Sequence, residues 1–238
     1  MANESLKNII GVALVVCLVC SILVAAATVI LKSRQETNQK LEKLKNILIA
    51  GDLMPKGEKA DLETIFSEKI KPVLIQLKSG EPLPPEKIRA NANVNLTPEK
   101  FDIKTISKDP AASRLIPHQE DNANIKRVPL YMPVYFVKVG KGGEKEEKDD
   151  NYEKVILPVY GSGLWSTIYG FLALDKDLKT VRGFTVYEHG ETPGLGGEVV
   201  NPTWQNSWKG KTAFDDNGDI VLKIIKKKAA PDSTEEID

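Results

Sequence analysis

The chain opens on one long apolar run and then changes period. Ile9 to Leu31 holds no charged residue, and Ser21 and Thr28 carry its only hydroxyls. As a helix this run is about 35 Å long, enough to cross a hydrocarbon core. Leu41, Leu44, Ile47 and Leu48 then recur at helical spacing with charges between them. That pattern predicts a helix continuing past the apolar run and stopping near Gly51 and Pro55. Asp61 to Lys69 predicts a second, short helix, and Ser79 to Pro85, with three prolines and a glycine, predicts a loop. Thr97 to Pro117 has no clear period.

Strand signals follow. Tyr131 to Val139, Val155 to Val159, Ile168 to Leu174, Val181 to Tyr187 and Ile220 to Ile225 are rich in β-branched and aromatic residues. Asp175-Lys-Asp and Asp215-Asp-Asn-Gly supply turn chemistry between them. Lys141 to Lys154, glycine-rich and highly charged, predicts a solvated hairpin loop. Asn201-Pro-Thr predicts a capped short helix carrying Trp204 and Trp208. The fold class expected is α+β: an antiparallel sheet with packed helices, preceded by one amino-terminal transmembrane helix. The expected organisation is a tail at 1–8, the membrane helix at 9–31, a helical and mixed part at 32–128, and a ligand-binding domain at 129–238.

The membrane reading survives its rivals. The run continues through Val29-Ile30-Leu31, too long for the apolar core of a cleaved signal. Valine precedes both Cys17 and Cys20, where a lipidation signal wants a small residue. The two cysteines share a helix face and read as small packing residues; the alternative is a metal centre shared with another chain.

Composition narrows the classes. The 238 residues hold 33 Lys and Arg against 33 Asp and Glu, so the net charge is zero, which argues against nucleic acid as a partner. Both cysteines lie in the apolar run, so the remainder has no disulfide framework and no thiolate metal site. His118 and His189, the only histidines, have no spaced metal partner and read as surface or loop residues.

Candidate chemistry concentrates in two stretches. Glu191-Thr-Pro-Gly-Leu-Gly-Gly places one fixed φ beside three glycines, and exposed amides in such a loop can bond a polar heterocycle or a phosphate. Its glycine spacing fits neither a dinucleotide fingerprint nor a Walker A loop, and the plainer reading is a long turn. Leu164-Trp-Ser-Thr167 places a tryptophan at the start of a strand, fit to pack on a flat ligand or to enter a core.

These stretches, with Gly163 to Leu174, His189 to Trp204 and Leu18-Val-Cys-Ser21 inside the anchor, resemble the C-subunit family of the Na+-translocating NADH:quinone oxidoreductase. The resemblance implies an FMN-carrying electron-transfer subunit without stand-alone catalysis. Its partners would be the other subunits of the complex, a flavin transferase and the lipid bilayer of a bacterial inner membrane. It implies flavin contacts from Leu164, Trp165, Ser166, Thr167, Glu191, Thr192, Leu195 and Gly196. It also implies one from Lys226, although Lys227 and Lys228 stand where the family commonly has two glycines. The family joins FMN covalently to the second threonine of a Ser-Gly-Ala-Thr-x-Thr motif. Residues 1–238 do not contain it, and the expectation is a flavin domain incomplete at its carboxyl end. The alternatives are the flavin subunit of an Rnf-type electron-transport complex and an anchored assembly subunit that has lost covalent flavin.

Topology sets two rules against each other. Lys32, Arg34, Lys40, Lys43 and Lys45 follow the apolar run, which by the positive-inside rule keeps the large domain in the cytoplasm. The resemblance implies the periplasmic side, and we expect that side. Protease added to intact spheroplasts should digest the domain; protection until the membrane is broken would show that the charge rule governs.

Overall fold

The computed structural model describes residues 6–54, 61–83, 98, 101–139, 152–230 and 232–238. It divides into two compact units, Met1–Glu42 and Lys43–Asp238. Helix α1, Leu6–Ala50, begins in the first and ends in the second.

In the first unit the apolar run is helical, and its large side chains from Ile9 to Leu31 are 44% to 75% exposed. Such a surface suits lipid rather than water. Ser21 Oγ donates to the Cys17 carbonyl at 2.7 Å and Thr28 Oγ1 to that of Val24 at 2.8 Å. Each hydroxyl is thus satisfied within the helix, as an apolar surrounding requires.

The second unit is built on a five-stranded antiparallel sheet of order β1-β4-β5-β6-β7. The strands are β1 Ile70–Gln76, β4 Tyr131–Lys138, β5 Tyr152–Ser162, β6 Thr167–Asp175 and β7 Val181–Glu188. The strands β2 Ser113–Leu115 and β3 Arg127–Pro129 form a separate small pair. Alternation along β6 divides the core. Phe171 and Ala173 join Ile47, Leu48 and Ala50 of α1 together with Ile70, Tyr135, Val137 and Ile156. Leu172 and Leu174 join Val181, Trp208, Ala213 and Ile237. Both faces of β6 are therefore covered. A third cluster joins Leu74 and Met132 to Phe101, Ile103 and Ile106. Lys43 of α1 donates to the Phe101 carbonyl at 2.8 Å, and burial lowers its pKa against the opposing pull of Asp102.

Short helices sit where their caps allow. Asp61 accepts from the amides of Glu63 and Thr64 to start α2, Leu62–Lys69. Asp102 does the same for α3, Ile103–Lys108, and Asn201 with Pro202 starts α4, Pro202–Asn206. Helix α1 ends in a Schellman arrangement: the Leu53 amide reaches the Leu48 carbonyl at 2.8 Å and the Asp52 amide that of Ile49 at 3.0 Å. Asp52, with φ 58°, takes the left-handed position. Gly51 precedes it in a tight place, where a Cβ would lie 3.0 Å from Ile156 Cδ1.

Several expectations are corrected. Ile70–Gln76 is a strand that the pattern did not announce, because Pro72 reads as a breaker; β1 lies on the sheet edge, where a missing N–H is tolerated. Tyr152 to Lys154, expected in a charged loop, begin β5: Tyr152 and Lys154 pair with β4, and Lys154 opens the pairing with β6; residues 141–151 of that loop lie outside the described residues. Ile220 to Ile225 is not a strand of the main sheet. Within it β8, Lys223–Ile224, pairs in parallel with β9, Glu236–Ile237, and Ile220 makes a single antiparallel bridge to Phe214. None of residues 220–225 is buried, so their β-branched composition has no sheet face to fill. The expected loop at Ser79 to Pro85 is described as far as Leu83, which turns back to bond Leu74 at 2.7 Å. Pro55, Pro84, Pro85 and Thr97 lie outside the described residues.

The end of α1 lies backbone on backbone against β7. A Cβ on Gly183 would lie 2.2 Å from the Ala50 carbonyl oxygen. Gly183→Ala should therefore lower stability by about 3 kcal/mol, because no side-chain motion relieves the clash. Urea denaturation of the detergent-solubilised chain checks this, and an unchanged midpoint would contradict the seating of α1 on β7.

Candidate functional site

Gly163 to Ser166 form the tip of the β5–β6 hairpin. Ser162 pairs with Thr167, and the Gly163 amide closes the turn on the Ser166 carbonyl at 2.7 Å. The chain leaves β7 into His189–Gly197 at the same end of the sheet, because β7 runs antiparallel to β6 and Tyr169 pairs with Glu188. The two stretches singled out in the sequence are thus neighbours.

Glu191 joins them. Its Oε1 accepts from the amides of Trp165 at 3.1 Å and Ser166 at 3.2 Å, and its Oε2 accepts from Leu164 at 3.2 Å. The residue is 7% exposed. These donors, Trp165's first, hold its carboxyl below the usual 4.5, with a smaller contribution from His189. A depressed folded-state pKa means that this contribution to stability is complete above about pH 4.5 and is lost as pH falls through the folded value.

Further bonds secure the junction. Ser166 Oγ accepts from the Gly190 amide at 2.6 Å, and His189 Nδ1 accepts from the Glu191 amide at 3.2 Å. The Thr192 carbonyl accepts from Leu195 at 3.1 Å and from Gly197 at 2.9 Å, closing the glycine loop on itself. Gly194 takes φ 73°, a conformation glycine adopts without a Cβ penalty. A 3-10 turn, Gly196–Val200, then leads into α4.

The outcome is a small exposed apolar surface on a rigid base. Leu164 is 82% exposed, Trp165 72% and Leu195 73%, all beside the buried carboxylate. Thr192 and Gly196 are exposed on the same loop, while Ser166 and Thr167 are half-buried behind the tip. Lys226 is exposed two residues past β8, and no bond among the described residues ties it to the Glu191 junction. His118 lies exposed in a turn, and His189 is half-buried in the glycine loop. Below the tip, Tyr169 stacks on Tyr160 at 5.9 Å, and Lys104 pairs with Glu188 while lying 5.4 Å from the Tyr169 ring. Sequence reasoning missed Lys104. Its element, α3, fell in the stretch without a period, and its partner is distant in the chain.

The FMN-binding domain family matches residues 163–238, starting at the glycine of the hairpin tip. The Na(+)-translocating NADH-quinone reductase C-subunit of Yersinia pestis is 40% identical over 237 residues, 99% of this chain and 82% of its own length. Its counterpart in Pseudomonas aeruginosa is 44% identical over 235 residues, 98% of this chain and 83% of its own length. The crystal structure of NqrC from Shewanella oneidensis is similar with TM-score 0.71 at 33% identity, covering 85% of this chain and 83% of that one. The C-subunit from Parabacteroides distasonis, 24% identical with TM-score 0.59, shares the fold.

Of the three tryptophans, Trp165 is exposed, whereas Trp208 is buried and stacks on Phe184 at 3.9 Å, with Trp204 edge-on to both. Iodide should therefore quench mainly Trp165 emission in the ligand-free chain. Trp165→Phe should remove most of the quenchable fluorescence; a variant quenched as strongly as the parent would place Trp165 inside the fold.

Proposed function

This chain belongs to the C-subunit family of the Na(+)-translocating NADH-quinone reductase, and we propose that it is the FMN-carrying electron-transfer subunit of such a complex. The observation that carries the reading is the junction at Glu191. It sets Leu164, Trp165 and Leu195 beside a glycine loop in which residues 192–196 are exposed. Apolar faces beside exposed peptide groups fit a flat heterocycle with a polar edge. When bound, FMN supplies the ring that takes up and passes on electrons.

The residues divide by placement. Leu164, Trp165 and Leu195 offer apolar contact to the ring, and Thr192 and Gly196 offer a hydroxyl and backbone groups to its edge. Ser166 and Thr167 support the tip from behind, Glu191 holds the two segments together, and Lys226 is the cation proposed for the polar edge. We assign flavin binding to 129–238, with 32–128 supporting it.

The exposed apolar helix at Ile9–Leu31 supports anchoring in the lipid bilayer of a bacterial inner membrane. The domain is proposed to lie on the periplasmic side, beside the other subunits of the complex. Covalent attachment through a threonine, made by a flavin transferase, is the family's proposed mode. Residues 1–238 lack the Ser-Gly-Ala-Thr-x-Thr motif, so the contacts proposed within them are reversible.

Titrating FMN with the detergent-solubilised chain tests the reading. Flavin fluorescence should be quenched to saturation, and riboflavin should behave similarly because the contacts proposed are to the ring. Trp165→Ala combined with Leu195→Ala should weaken binding about tenfold or more. No saturable quenching by the parent chain would favour an assembly subunit without flavin.

A further inference from the structure

We propose that Glu191 is a positioning residue: its carboxylate clamps the β5–β6 hairpin tip to the glycine loop and so sets how Trp165 and Leu195 face one another, without itself touching the ring. The role rests on the flavin reading above and assigns it a specific support.

The geometry leaves the carboxylate little else to do. Both oxygens are engaged, by the amides of Leu164, Trp165 and Ser166. Glycine backbones close around it. A Cβ on Gly163 would lie 2.4 Å from Oε1, and one on Gly196 would lie 2.9 Å from Oε2. The residue is 7% exposed, while its neighbours Leu164, Trp165 and Leu195 are each more than 70% exposed. A buried strut beneath an exposed apolar rim is the arrangement that fixes the rim in place.

The chemistry selects glutamate. All three partners are donors, so the strut must only accept, and an ionised carboxylate has lone pairs for each. Glutamine keeps the shape, but its NH2 group must face at least one backbone N–H. The charged groups around the carboxylate are few. His189 lies in its own loop, and Glu188, at the end of β7, is already paired with Lys104. Glu198 lies beyond Gly197 and accepts from Asn201 Nδ2 at 3.0 Å. The hairpin tip, Gly163 to Ser166, brings no charge.

The test uses the full chain in detergent, labelled with 15N-tryptophan; Trp165→Phe assigns the Trp165 backbone amide. In the parent that amide should shift with pH along one titration whose midpoint lies below 4.5, and in Glu191→Gln the titration should vanish. Glu191→Gln should weaken FMN and riboflavin binding equally, by about tenfold, the cost of one charge-assisted contact. Gly163→Ala, which intrudes on Oε1 with the carboxylate retained, should reproduce the loss. A Trp165 amide that ignores the titration would overturn the clamp. So would a Glu191→Gln chain that binds FMN as the parent does. A loss confined to FMN, with riboflavin unaffected, would overturn it in favour of a contact near the phosphate. If the parent binds neither flavin, the functional reading fails and the positioning role with it. That result is distinct from flavin binding that is indifferent to Glu191.

Discussion

The seating of the last turn of α1 against β7 constrains the rest of the domain. The Ala50 carbonyl lies where a Gly183 side chain would begin, and Thr185 Oγ1 donates to the Asn46 carbonyl at 3.2 Å within the core. Lys154 of β5 completes the contact by donating to the Gly51 carbonyl at 2.9 Å. The carbonyls of Ile47, Leu48 and Ile49 are met by amides of the helix end itself, and Lys154 supplies the partner for that of Gly51. The seating also fixes which face of β6 and β7 meets α1, so the opposite face must find its own cover. That cover is α4 and the turn after it, with Trp204 and Trp208, and the segment ending in Ile237, which is 1% exposed.

The sheet then frees the end that carries the candidate site. Strands β4 and β5 pair from Lys138 and Tyr152 to Tyr135 and Ile156 and go no further. Two positions further along that register Pro133 would face Pro158, and neither has an N–H to give. Strand β5 continues with β6 alone, so the outer half of the hairpin departs from β4 and is held by other means. The Ser162 amide bonds the Ala123 carbonyl at 2.8 Å, and Glu191 takes the tip. Two prolines therefore open the sheet where the glycine loop can reach the hairpin.

What was legible in the sequence follows this division. The anchor, the helix end near Gly51, the α4 cap and strands β4, β6 and β7 rest on local periodicity and turn chemistry, and a single segment displays those. Strand β1 was hidden by Pro72, whose tolerance depends on an edge position that only the assembled sheet defines. The short pair β8–β9 misled in the other direction, since β-branched composition signals a pleated face and here no face was available. At the site, Gly163–Thr167 and Glu191–Gly197 could be picked out as glycine-rich oddities and then weighted by family resemblance. Their adjacency follows from the β5-β6-β7 order. The three-way bond of Glu191 does not, because no spacing rule links a side chain to amides 25 to 27 residues upstream.

That bond also bears on the electrostatics of the proposed flavin site. A bare carboxylate beside a ring that gains electrons would oppose their arrival, and more strongly where water is excluded. Glu191 sits under the exposed surface with its charge met by the partial positive charges of three amides, so the field it projects outward is reduced. The same donors that align the tip thus make an anion tolerable at this place. A neutral acceptor would remove the opposing charge but could not gather three donors with equal strength, and an unbonded tip would leave its amides to solvent. Rigidity and electrostatic neutrality are therefore supplied by one side chain, and a substitution that alters the first also alters the second.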